Sequence, residues 1–112
     1  MNYSGKIKKH DDVPAVMDGE EICRQYFQTD KITFGMSELG PWKVGGLDTG
    51  HAEADEVFFC VQGHVLCYFP EDDHYYELWK GDALLIPPNT GHKLFNISDE
   101  TAIITWSCAP KP

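Results

Sequence analysis

Turn-forming residues recur so closely along this chain that no long helix fits between them. Gly40, Pro41, Gly45, Gly46 and Gly50 crowd one stretch. Gln62-Gly63, the acidic run from Pro70 to His74, Lys80-Gly81-Asp82, Pro87-Pro88 and Asn89-Thr90-Gly91 punctuate the C-terminal half. The segments between these turns are short and rich in aromatic and β-branched residues. They run from Ile22 to Gln28, Lys31 to Leu39, Val57 to Val61, Val65 to Phe69, Tyr75 to Trp79, Ala83 to Ile86, His92 to Ile97 and Ala102 to Trp106. None sustains an apolar period of 3.6 residues, so each reads as a strand. The pair flanking Gln62-Gly63 reads as a hairpin. Pro87 stops the segment before it, because proline cannot donate to a strand ladder. Eight or nine strands with turns about every 8–12 residues predict one all-β domain, a sandwich or small barrel.

Within that domain, residues 1–20 are expected to form an N-terminal arm or edge strand, 21–108 the barrel and 109–112 a short tail. Eighteen carboxylates oppose nine Lys and Arg, for a formal charge of −9. Nucleic acid is thereby disfavoured, since a groove for it needs clustered cations to displace phosphate counterions. An anionic membrane surface is disfavoured for the same reason. The basic cluster Lys6, Lys8, Lys9 and His10 falls in the expected arm, where a solvated tail accounts for it. No apolar run is long enough to span a bilayer, and the first ten residues lack the apolar core of a secretory signal. Cys23, Cys60, Cys67 and Cys108 form no Cys-x-x-Cys pair, so they read as buried reduced thiols. Cytoplasmic localisation is the corresponding expectation. Exposed sheet edges and the aromatic content point to a homodimer.

His51, Glu56 and His92 are the residues best suited to chemistry. Imidazole nitrogen and carboxylate oxygen bind first-row divalent metals, and two His with one carboxylate leave coordination positions open. Arg24, the sole arginine, reads as one half of an ion pair. Phe58 and Cys60 share the parity of Glu56 and are expected to point inward beside it. Tyr68, Trp79 and Trp106 are candidates for pocket wall or core.

The run from Thr49 to Gly63 resembles the first motif of the cupin superfamily, which reads His-x-His, three or four residues, Glu, six residues, Gly. Here four residues separate His51 from Glu56, and six separate Glu56 from Gly63. The run Gly81 to Asn96 resembles the second motif, with Gly81, Pro87, His92 and Asn96 in register. Asn89 stands where the family usually has Gly, a mild exchange because Asn tolerates left-handed backbone. The motifs lie in order, 17 residues apart. The departure is at the first His. If His51 is the second His of the motif, Thr49 takes the first position; if His51 is the first, Glu53 replaces the second.

The resemblance implies a double-stranded β-helix, a jelly-roll barrel of two antiparallel sheets. It implies a divalent transition metal, Fe, Mn, Ni, Zn or Co, held by His51, Glu56 and His92. It further implies a metal-dependent enzyme, by isomerase, lyase or dioxygenase chemistry, on a small oxygen-rich molecule such as a sugar, sugar phosphate or keto acid. Glu53, if not a ligand, is the first candidate for a catalytic general base. The alternative is a non-catalytic cupin that binds or senses a small ligand with an incomplete metal site.

Overall fold

The computed structural model describes residues 4–112; the first three residues of the expected arm lie outside the described residues. Nine strands come after one turn of 3-10 helix at His10–Asp12, a turn within the expected arm that composition alone does not reveal. They are β1 (Val16–Asp18), β2 (Glu21–Gln28), β3 (Thr33–Leu39), β4 (Asp55–Gln62), β5 (His64–Phe69), β6 (His74–Trp79), β7 (Ala83–Ile86), β8 (Lys93–Asn96) and β9 (Ala102–Ala109). Each expected segment contains or overlaps one strand, and the fold class is the expected double-stranded β-helix. No helix among the described residues is long and apolar enough to cross a membrane.

Two antiparallel sheets face each other, one ordered β1-β2-β3-β9-β4-β7 and the other β6-β5-β8. The strict alternation of buried and exposed residues along β4 shows how the pattern selects the faces. Glu56, Phe58 and Cys60 point in, while Val57, Phe59 and Val61 point out. Leu39, Val65, Cys67, Leu78, Ile86 and Ile104 fill the space between the sheets. At the β4–β5 hairpin Gly63 takes φ +97°, and a side chain there would collide with Ala102. Asn89 adopts φ +58°, the left-handed turn expected of it.

The glycine-rich stretch from 40 to 50 is a loop held by isolated bridges rather than a strand. Val44 pairs with Phe95, Gly45 with Gly19 and Asp48 with His92. Buried Asn96 pins this loop, its amide reaching the carbonyls of Leu39, Gly40 and Glu100. The motif asparagine is therefore a staple between loops. Arg24 pairs with Glu38 at 3.1 Å, the ion pair expected of it.

Candidate metal centre

Three elements carry donors to one spot between the sheets. Glu56 comes inward from β4 and is 5% exposed, and His92 comes from the turn before β8 and is 3% exposed. Asp48 lies opposite His92, the two residues exchanging both backbone hydrogen bonds at 2.9 Å. His51 comes from the same loop as Asp48, its carbonyl accepting the Asn89 amide at 2.7 Å.

His92 Nε2 stands 3.1 Å from Glu56 Oε1 and 3.7 Å from Asp48 Oδ2, and His51 Nε2 stands 3.8 Å from Glu56 Oε1. Donors at about 2.1 Å from a first-row divalent ion stand about 3 Å apart when adjacent and about 4 Å when opposite. The spacings match. Glu56 Oε1 is buried with no hydrogen-bond partner, an arrangement that costs free energy unless something else satisfies the oxygen. His92 Nδ1 lies 3.0 Å from the carbonyl of Thr90. A carbonyl only accepts, so Nδ1 carries the hydrogen and Nε2 faces the carboxylates, the usual orientation of a metal-binding imidazole. Burial works to lower the His92 pKa. The Glu56 carboxylate 3.1 Å away, the Thr90 carbonyl and the charge of Asp48 outweigh it, holding the imidazole above its ordinary value.

The donors form two overlapping groups that share Glu56. One is Asp48, Glu56 and His92, the other His51, Glu56 and Cys108, and within each the donor atoms lie within 4.8 Å of one another. The structure thus brings each imidazole to Glu56 but places them in different groups. Cys108 faces Glu56 directly from β9, its thiol donating to Oε2 at 3.2 Å. Burial, and then the Glu56 charge, push that thiol up to about 12.

Thr49 and Glu53 were the alternatives for the remaining motif position. Both are exposed and belong to neither group. The segment that carries them forms no strand, since β4 begins only at Asp55. The acidic position beside the histidines is filled instead by Asp48. Its signal in the sequence was faint, one carboxylate in a loop three residues before His51.

A cavity of about 200 Å³ opens beside these donors, lined by His51, Glu56, Phe58 and Trp106 among others. Trp106 lies across Gly35, where a Cβ would fall 2.2 Å from its ring, and its indole donates to Ser37 Oγ at 2.9 Å. Of the three aromatics considered from sequence, Trp106 is the one lining this cavity; Trp79 is 54% exposed.

Comparison with known proteins agrees with this architecture. A family model described as a cupin domain matches residues 35–108. An uncharacterized protein of Methanocaldococcus jannaschii is 35% identical over 49 residues, 44% of this chain and 38% of that protein. The chain therefore spans well under half the length of this curated relative. Among solved structures, an uncharacterized double-stranded β-helix protein of Klebsiella pneumoniae superposes with TM-score 0.80 at 18% identity, covering 96% of this chain and 92% of that one. The polyketide cyclase RemF of Streptomyces resistomycificus superposes with TM-score 0.75 at 17% identity, covering 96% and 80%. At these identities the likeness is one of fold.

Proposed function

The chain belongs to the cupin domain family, and we propose that it is a metal-dependent enzyme acting on a small oxygen-rich molecule. Sugars, sugar phosphates and keto acids are of the right size for the cavity of about 200 Å³. The observation that carries the reading is the orphaned, buried Glu56 Oε1 between His92 Nε2 and His51 Nε2. Glu56, His92 and Asp48 would hold the ion, with His51 on the cavity side of Glu56. A divalent transition ion (Fe, Mn, Ni, Zn or Co) bound there supplies Lewis acidity that polarises a carbonyl and eases isomerase, lyase or dioxygenase chemistry beside it. Thr90 fixes the His92 tautomer, and Cys108 fixes the Glu56 carboxylate. Phe58 and Trp106 supply apolar surface to the cavity wall. The ligand classes include anions, and the overall charge of −9 repels them at long range, so they would be retained by the site itself.

Elemental analysis of untagged protein tests this, with His51→Ala and His92→Ala alongside. Near-stoichiometric metal in the wild type and its loss in His92→Ala is the expected result. A wild type that is metal-free, and gains no thermal stability from added Mn, Fe, Ni or Zn, overturns it. A second reading, a non-catalytic ligand-binding module, draws support from the division of His51 and His92 between two donor groups. Turnover of candidate keto acids or sugars by metal-loaded protein separates the two.

We also propose that the chain pairs with a second copy through the outer face of the six-stranded sheet. Leu85, Val57, Ser107 and Phe34 form one cross-strand row there, and Ala83, Phe59, Thr105 and Met36 the next. Neither row contains a carboxylate, although the chain carries a net charge of −9. Two copies of an acidic protein meet at least electrostatic cost where their carboxylates are absent.

A further inference from the structure

The cavity beside the metal-binding residues is lined by more carboxylates than one divalent ion offsets. Asp18, Glu21, Asp48 and Glu56 all border it, and no lysine or arginine does among the described residues. Asp18, Glu21 and Asp48 also border a smaller cavity of about 20 Å³ with His92, so the acidic groups adjoin the donor cluster. Strand alternation keeps the one arginine out. Glu21, Cys23 and Gln25 line the cavity from β2, whereas Arg24 between them turns to the opposite face and pairs with Glu38. Lys8 and Lys9 line a separate hollow of the arm, with Lys8 Nζ 5.2 Å from the centre of the Phe27 ring.

The cavity is marked as a ligand site independently of its acidity, by the buried and unpartnered Glu56 Oε1. A divalent ion held by Glu56, His92 and Asp48 offsets the charge of the two carboxylates that bind it. Asp18 and Glu21 remain. No ion pair among the described residues includes either of them. The imidazoles add no balancing charge, because a bound ion keeps those beside it neutral. Even with Glu21 uncharged, Asp18 leaves the loaded cavity negative. A phosphate or carboxylate entering it is attracted by the ion and repelled by the surplus carboxylates. An ammonium group meets the surplus carboxylates as partners. It gains further from aromatic rings within reach, and Phe58 and Trp106 line the same cavity.

We propose that the pocket selects an oxygen-rich ligand bearing an ammonium group, an amino sugar or amino alcohol, over a sugar phosphate or keto acid. Hydroxyl oxygens of such a ligand suit the divalent ion, and the ammonium is favoured by the field of Asp18 and Glu21. The net charge of −9 acts in the same sense at longer range, drawing a cation toward the protein. The inference rests on the metal-site reading above and narrows its ligand classes by charge.

The test uses probes that share one three-carbon skeleton and differ in charge: 3-amino-1,2-propanediol, glycerol and glycerate. Zinc binding is measured first, and each probe is then titrated calorimetrically at neutral pH into zinc-loaded wild type and zinc-loaded Asp18→Asn. Wild type should bind the amine about tenfold more tightly than glycerate, with glycerol between them. Asp18→Asn removes one charge with little change of shape and should shrink that ratio about threefold or more. Added salt should shrink it as well. Glycerate binding as tightly as the amine in wild type overturns the charge preference while leaving the metal reading in place. A ratio that neither Asp18→Asn nor salt alters overturns the role of the surplus carboxylates. Absence of zinc binding in wild type overturns the metal reading, and this inference with it.

Discussion

Glu56 on β4 and Cys108 on β9 are direct cross-strand partners, and the cysteine thiol reaches the Glu56 Oε2 at 3.2 Å. That contact occupies one carboxylate oxygen and leaves Oε1 to face His92 and His51. Cys108→Ser keeps a donor at the position and should retain metal binding. Cys108→Ala removes it and should weaken metal affinity about 10-fold or more, the usual effect of losing a group that orients a ligand. Calorimetric titration with zinc measures both. Equal affinity in wild type and Cys108→Ala would show that Glu56 needs no such support.

Asp48 and Glu53 offer a contrast between a carboxylate the fold gathers in and one it leaves in solvent. Asp48 Oδ2 stands 3.7 Å from His92 Nε2, whereas Glu53 is exposed and in neither donor group. Asp48→Ala should lower metal affinity by at least about tenfold. Glu53→Ala should leave metal content and stability within about 0.5 kcal/mol of wild type, as for most exposed substitutions. The reverse order in metal analysis would restore Glu53 to the site.

These two carboxylates also mark how far the sequence could be read. Alternation and turn residues located the segments because both act over a few neighbouring positions. His51, Glu56 and His92 were legible because they fall at the ligand positions of the two motifs that resemble the cupin pattern. Asp48, Cys108 and Glu21 were not. Their partnerships depend on which strands pair and in which register: Cys108 meets Glu56 across 52 residues of sequence, and Glu21 meets Ser37 across 16.

Gly35 and Trp106 are register partners between β3 and β9. A methyl group at Gly35 would come within 2.2 Å of the indole and 2.6 Å of the Arg24 carbonyl. Gly35→Ala should therefore displace Trp106 from Ser37 and destabilise the protein by about 1–3 kcal/mol. Urea denaturation monitored by tryptophan fluorescence reports the stability. A change in the native near-ultraviolet circular dichroism reports the movement. Unchanged stability and spectrum would mean that the sheet yields there without disturbing the ring.

Glu21 makes stability depend on pH in a direction opposite to that of most carboxylates. Burial raises its folded pKa above the unfolded value of 4.5. Between these two values the native state binds more protons than the unfolded state, so unfolding free energy falls as pH rises. The contribution is fully present below the unfolded pKa and is lost as pH rises through the folded one. Its slope cannot exceed about 1.4 kcal/mol per pH unit. Glu21→Gln should lack this slope and gain stability relative to wild type toward neutral pH. Parallel stability profiles for the two proteins would place the raised titration elsewhere.

Phe59 and Leu85 stand in the two carboxylate-free rows of the outer face, 42% and 60% exposed in the single chain. Apolar side chains so exposed, in adjoining rows of a sheet, favour burial against a matching surface. The row from Leu85 through Val57 and Ser107 to Phe34 presents the same surface from either copy, as an isologous dimer requires. Wild type should sediment at twice the chain mass of 12.7 kDa, and Phe59→Lys with Leu85→Lys should sediment as monomer. Because both positions face outward, the double variant should keep its fold and its metal content. The exposed Tyr75 on β6 is the control, since Tyr75→Lys changes the opposite sheet and should leave the dimer intact. A wild type that remains monomeric across micromolar concentrations would refute the pairing, and dissociation by Tyr75→Lys alone would move the interface to the three-stranded sheet.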